Sequence, residues 1–153
     1  MTEVAQRFEE ASRLESLQGV TFSGGEPMQQ AQALLELMRE IRQAAPAVSF
    51  GMFTGYTENE LAAGRYVTRL RATVEQKRTL WQTVRGLLDF AVMGRYDRTQ
   101  PTMAPLRTSR NQRLLLFSSR YREGDFGPQL VEISIEASGR CVLTGFPVLG
   151  IPA

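Results

Sequence analysis

The apolar positions divide the chain into alternating helices and strands. Val4, Phe8, Ala11 and Leu14 recur at helical spacing, Glu9, Glu10 and Arg13 face away, and Thr2 suits the cap, which predicts a first helix over 2–16. A short apolar strand follows at Gly19–Phe22. Residues 28–44 carry the clearest helical pattern. Ala31, Leu34, Leu35, Met38 and Ile41 form its buried stripe, Glu36, Arg39, Glu40 and Arg42 are expected in water, and Ala45-Pro46 ends it. A β-rich run at 48–54, closed by Gly55, predicts a second strand. Thr57 then caps a short helix over 58–63, with Glu60 at the third helical position of a capping box.

Residues 66–88 read as helix, with Val74, Leu80, Trp81, Val84 and Leu88 as its stripe and Arg71, Lys77, Arg78 and Arg85 interrupting it in charge. A third strand is expected at 89–93, leading into Gly94, and a fourth at 113–118 after a loop with Pro101 and Pro105. In the tail Val131, Ile133 and Ile135 alternate with Glu132, Ser134 and Glu136, and Ser138-Gly139 turns the chain into Cys141–Thr144, a hairpin signal with one solvated face.

Strands spaced by helices imply an α/β protein with a parallel sheet of βα units in one domain over 1–153, the hairpin forming an antiparallel edge or cap. The series begins with a helix. Either that helix is an embellishment, or the first strand lies outside this chain.

Composition narrows the chemistry. A chain of 153 residues, 42% hydrophobic, suffices for one core, and a net charge of +2 is too small to mark a nucleic-acid binder. Residues 95–122 hold seven arginines against one aspartate, which suits either a phosphate-bearing or acidic partner or a solvated basic loop. There is one cysteine, Cys141, and no histidine. An internal disulfide framework, the usual zinc sites and imidazole acid–base catalysis are thereby excluded. No apolar run approaches a bilayer span and the start is unlike a signal peptide, so a cytoplasmic location without a membrane partner is expected.

The candidate chemistry lies in Ser23-Gly24-Gly25-Glu26-Pro27. Two residues without Cβ let the backbone turn sharply and approach a ligand, Glu26 suits a ligand ammonium group, and Pro27 suits the first helical position. A carboxylate argues against an anion site. A plain strand-to-helix turn has the same shape, and the loop alone leaves both readings open.

The run Gly19-Val20-Thr21-Phe22-Ser23-Gly24-Gly25-Glu26-Pro27 resembles the second-strand motif of radical S-adenosylmethionine enzymes. More narrowly, it resembles the activating enzymes of glycyl-radical proteins, especially those of anaerobic ribonucleotide reductase. Phe53-Thr54-Gly55-Tyr56, the run from Asp89 to Gly94, and Ser109-Arg110-Asn111-Gln112-Arg113 match further family segments in order. Thr144-Gly145-Phe146-Pro147 is similar to a subfamily tail.

The resemblance implies a partial (β/α) barrel-like parallel sheet lacking its first βα unit. It implies S-adenosylmethionine and a [4Fe–4S] cluster as cofactors, and a glycyl-radical enzyme such as anaerobic ribonucleotide reductase as partner. Gly24, Gly25 and Glu26 would hold the methionine amino group, Ser23 and Pro27 would complete this cofactor-binding turn, and Thr54 and Gly55 would border the same pocket. Residues 111–113 would either fix polar contacts before a strand or touch ligand. The chain departs from the family in lacking the Cys-x3-Cys-x2-Cys loop, and a lone Cys141, read as a small buried hydrophobe, cannot replace three thiolates. The expectation is a chain that does not bind the cluster alone: a fragment, a truncated gene product, or one completed by another polypeptide. The alternative function is a non-catalytic α/β interaction or small-molecule-binding module. A phosphate-binding protein is disfavoured by Glu26 and by the missing Gly-x4-Gly-Lys pattern.

Overall fold

Three parallel strands, β1 (Gly19–Phe22), β2 (Ser49–Thr54) and β3 (Phe90–Met93), run side by side, with Gly19 opposite Ser49 and Gly51 opposite Phe90. This is a computed structural model, describing residues 3–14, 17–127, 132–135 and 141–144. A fourth strand, β4 (Arg113–Leu116), closes the sheet next to β3, antiparallel, with Met93 opposite Arg113. That direction departs from a wholly parallel sheet. Residues 94–112 form a loop without a crossover helix, so the chain re-enters at the end of the sheet it has just left. The expected C-terminal hairpin is present as β5 (Glu132–Ile135) and β6 (Cys141–Thr144), paired antiparallel in their own two-stranded sheet rather than added to the larger one. The Thr2 cap, the Ser138-Gly139 turn, the surroundings of the Cys141 thiol and residues 145–147 lie outside the described residues.

The helices are α1 (Glu3–Leu14), α2 (Ala31–Ala44), α3 (Glu58–Ala62) and α4 (Val74–Leu87), with one 3-10 turn at Pro27–Gln30 leading into α2. No described helix is long and apolar enough to cross a membrane. The α2 stripe is buried at all five expected positions. It packs with Phe50 and Met52 of β2 and with Trp81 and Val84 of α4 into one core. Trp81 is 1% exposed and meets Phe117 edge-on at 6.2 Å. Arg42, expected in water, instead lies over the Phe50 ring at 4.5 Å and donates to the Pro46 and Val48 carbonyls beyond the helix end. Its guanidinium tolerates this half-buried place because carbonyls and a ring face replace water.

Two helical expectations are corrected. Residues 66–73 are not helical: α4 starts at Val74 because Thr73 caps it, Oγ1 accepting from Gln76 N at 3.2 Å while Gln76 Oε1 accepts from Thr73 N at 2.8 Å. Val74 is accordingly 53% exposed rather than part of the stripe, whereas Trp81, Val84 and Leu88 are buried. Among the described side chains of α1 the buried one is Ala5; Val4 and Ala11 are exposed and Phe8 half-buried. The reason is visible beside it. Among the described residues β1 has a partner on one edge only, and a cavity of about 480 Å³ lies beside it, lined by Val4 and Phe8 of α1, Val20 and Phe22 of β1 and Leu34, Leu37 and Ile41 of α2.

On the other sheet face a ring lies directly across β2. A Cβ at Gly51 would stand 2.2 Å from Phe90 Cζ, so only glycine lets the ring cross there. Phe90 is held in turn by Tyr121 at 5.6 Å and Phe126 at 5.1 Å, and the Tyr121 hydroxyl meets Ser49 Oγ at 2.7 Å. Beside Phe90, the buried Asp89 accepts from Phe50 N at 2.9 Å and from Ser118 Oγ at 2.6 Å, with Arg120 3.6 Å away. Asp89, the first residue of a family-like segment, thus sits at the end of β3 remote from the glycine turn and joins strands.

Candidate functional site

The turn after β1 delivers one carboxylate to the end of β2. Gly24 and Gly25 adopt φ of 78° and 56°, left-handed values that glycine takes at no steric cost, and a Cβ on either would meet nothing within 4 Å. The reversal aims Glu26 back across the sheet. Its Oε1 accepts from Thr54 Oγ1 at 2.7 Å and from Met28 N at 3.1 Å, and its Oε2 accepts from Gly55 N at 2.8 Å. Glu26 is therefore the cap of the 3-10 turn as well as a tie between two loops, and Pro27 is buried at the first position of that turn.

Of the residues singled out from sequence, Glu26, Thr54 and Gly55 are in direct contact, Ser23, Gly24 and Gly25 form an exposed rim beside them, and Pro27 faces the core. Three donors occupy three of the roughly four acceptor positions of a carboxylate, leaving about one on Oε2 for an incoming donor.

Sequence reasoning missed what borders this site. Arg95, two residues beyond β3, donates to both oxygens of Glu60 at 3.0 and 3.2 Å and lies over the Tyr56 ring at 5.6 Å. Glu60 meanwhile completes the expected capping box, accepting from Thr57 N at 2.8 Å. The Arg95 guanidinium, with the Thr57 N–H and hydroxyl, holds the Glu60 carboxyl down from 4.5 to about 2. A depressed carboxyl contributes stability that is present above its ordinary value and lost as pH falls through the folded one. A carboxyl-detected NMR titration is thus expected to place the Glu60 midpoint near pH 2, and Arg95→Ala to move it up; a midpoint at the ordinary value in the native chain would show that the pair is not held.

Ser109-Arg110-Asn111-Gln112-Arg113 has a clear structural task. Asn111 Nδ2 donates to the Arg95 carbonyl at 2.6 Å, Gln112 Nε2 to the Gly94 carbonyl at 3.2 Å, and the buried Ser109 Oγ accepts from Asp97 N at 3.2 Å. Gln112 Oε1 takes Thr108 N at 2.9 Å and Ser109 N at 3.1 Å. The segment clamps the loop that carries Arg95. Elsewhere in the arginine-rich region Arg107 pairs with Glu123 at 3.3 Å and Arg120 lies beside Asp89, so part of that charge is neutralised within the chain.

A family model described as a 4Fe-4S single cluster domain matches residues 1–115. No curated protein and no solved structure matches the chain. The matched residues contain no cysteine, the one thiol being Cys141, and among the described residues no three of histidine, cysteine, aspartate and glutamate converge on a metal position. The donor set of residues 1–115 does not fit an iron–sulfur cluster.

Proposed function

Because the chain belongs to the family of 4Fe-4S single cluster domains, we propose that it is the S-adenosylmethionine-binding part of a radical S-adenosylmethionine activating enzyme, one that acts on a glycyl-radical enzyme such as anaerobic ribonucleotide reductase. The observation that carries this reading is the turn at residues 24–26. Two left-handed glycines leave open space where any side chain would stand, and one acceptor position of Glu26 remains next to it. An ammonium group, with three donors and no acceptor, is the complement of exposed carbonyls and a carboxylate. Thr54 and Gly55 do not need to touch the ligand; they fix the carboxylate that does. Ser23 belongs to the rim and Pro27 sets the entry into the turn. No cluster chemistry is assigned to these residues, because they offer no thiolate for it.

That same lack favours a second reading, a module of this fold that binds a small molecule or a partner without catalysis. Two measurements on the full chain separate the readings. Calorimetric titration with S-adenosylmethionine is expected to show binding, and anaerobic incubation with iron and sulfide to give no stoichiometric [4Fe–4S] absorption band. Absence of binding would leave the non-catalytic module; a full band would overturn the statement that the chain lacks the ligands.

A further inference from the structure

Between α3 and α4 the chain turns large apolar side chains to water on a backbone that is held in place. Val67 is 62% and Leu70 63% exposed, and the exposed Val74 follows at the start of α4. The segment is anchored rather than frayed. Tyr66 is buried and its hydroxyl donates to the Lys77 carbonyl at 2.7 Å, Val67 N donates to the Tyr56 hydroxyl at 3.1 Å, and Arg69 N donates to the Gln29 carbonyl at 2.8 Å. The aliphatic groups therefore stay in water although the chain around them is fixed, and a contiguous apolar patch of this kind marks a contact surface where a scattered leucine does not. A groove of about 490 Å³ runs along them, lined by Val67, Leu70, Arg71, Thr73, Gln76 and Lys77 among others.

Charge decides what fits it. Residues 65–78 hold five cations, Arg65, Arg69, Arg71, Lys77 and Arg78, against one acid, Glu75, which Arg78 approaches at 3.6 Å. Arg65, Arg69 and Arg71 are exposed and have no acidic partner among the described residues. The main chain asks for the same kind of partner, since among the described residues the N–H groups of Leu70, Arg71 and Ala72 have no acceptor. An extended polypeptide supplies carbonyls for those N–H groups, carboxylates for the arginines and an apolar side chain for the groove. A lipid surface supplies charge and apolar contact, but no carbonyls at peptide spacing and nothing shaped to enter a groove.

We propose that residues 65–78 form a docking surface for an acidic, apolar polypeptide segment of another protein. The segment lies along residues 67–72, sets an apolar side chain between Val67 and Leu70, and pairs its carboxylates with Arg65, Arg69 and Arg71. The proposal is independent of what the glycine turn binds.

The test is NMR mapping of amide shifts in the full chain with three capped peptides. Glu-Leu-Glu-Leu-Glu carries both features, Gln-Leu-Gln-Leu-Gln lacks the charge, and Glu-Ser-Glu-Ser-Glu lacks the apolar groups. The first is expected to shift amides within 65–78, the second to bind about fivefold more weakly and the third about tenfold. Added salt weakens the first and not the second. Arg69→Glu combined with Arg71→Glu lowers affinity for the first by about tenfold or more and leaves the second within about twofold. Leu70→Ser weakens both leucine peptides by about fivefold. The replaced side chains are exposed, so each variant is expected to keep the native melting temperature. The proposal is overturned if the first peptide at millimolar concentration shifts nothing within 65–78, if the first two bind alike, or if the substitutions change neither affinity. Two other occupants also overturn it. Co-sedimentation with phosphatidylserine-containing vesicles, lost in the double-glutamate variant and without peptide shifts, assigns the face to lipid. A dimer in analytical centrifugation, lost in the same variant, assigns it to a second copy of this chain.

Discussion

Glu26→Ala is expected to lower affinity for S-adenosylmethionine by about a hundredfold and to remove about 3 kcal/mol of folding stability as well. The two losses share one origin. The carboxylate is the acceptor for Met28 N, Gly55 N and the hydroxyl of Thr54, the last only 5% exposed, so truncation strands donors that water reaches poorly. For a chain of this size that corresponds to a melting temperature lower by roughly 6 to 12 °C. Calorimetric titration well below the transition, with thermal unfolding alongside, separates the two effects. Glu26→Gln discriminates further, since an amide has one acceptor oxygen where the carboxylate has two and turns an N–H toward a donor it cannot satisfy. Native stability in Glu26→Ala would mean that the three bonds are not made in solution; native affinity would remove Glu26 from the binding residues.

Asp89→Ala is expected to cost about 3 kcal/mol, with little effect on ligand affinity in the protein that remains folded. Asp89 joins three strands: its N–H donates to Phe50 O at 2.8 Å, its carbonyl accepts from Phe117 N at 2.8 Å, and its carboxylate takes Phe50 N and Ser118 Oγ. The first two bonds survive the substitution. The other two leave a buried N–H of β2 without an acceptor, which carries most of the loss. Arg120→Ala provides the contrast, at less than about 1 kcal/mol, because its pairing with Asp89 is long and its side chain is 41% exposed. Urea unfolding of the three proteins checks the order. Equal losses from Asp89→Ala and Arg120→Ala would show that the ion pair, not the buried N–H, holds the strands.

How much of this was legible in the sequence depended on whether the signal was local. The α2 stripe was, because Ala31, Leu34, Leu35, Met38 and Ile41 keep a regular period and all five are buried. The Thr57–Glu60 box was legible for the same reason, being complete within four residues. Thr73 and Gln76 form the same motif, yet the apolar residues on either side, Tyr66 and Leu70 before it and Val74 and Leu80 after it, continue a helical period across the cap and hide it. The direction of β4 was not legible, since four residues of strand carry no record of which neighbour they meet or which way they run. The site was half legible. Its residue types suggested an ammonium group, but two of the three donors that occupy Glu26 lie 28 and 29 positions downstream, and Arg95 reaches Glu60 across 35. For residues 111–113 the sequence leaves two roles open, polar contacts before a strand or contact with ligand, and the bonds of Asn111 and Gln112 to the Arg95 and Gly94 carbonyls match the first.

The single tryptophan gives these comparisons an optical readout. Trp81 lies on α4, 1% exposed in the core shared with α2 and β2, and its ring meets Phe117 rather than the glycine turn or the loop of Arg95. Its emission therefore reports the core alone, blue-shifted while α4 stays docked and red-shifted when water enters. A variant at the turn that loses ligand while Trp81 keeps its native spectrum has been damaged locally. One that shifts the spectrum has lost its scaffold.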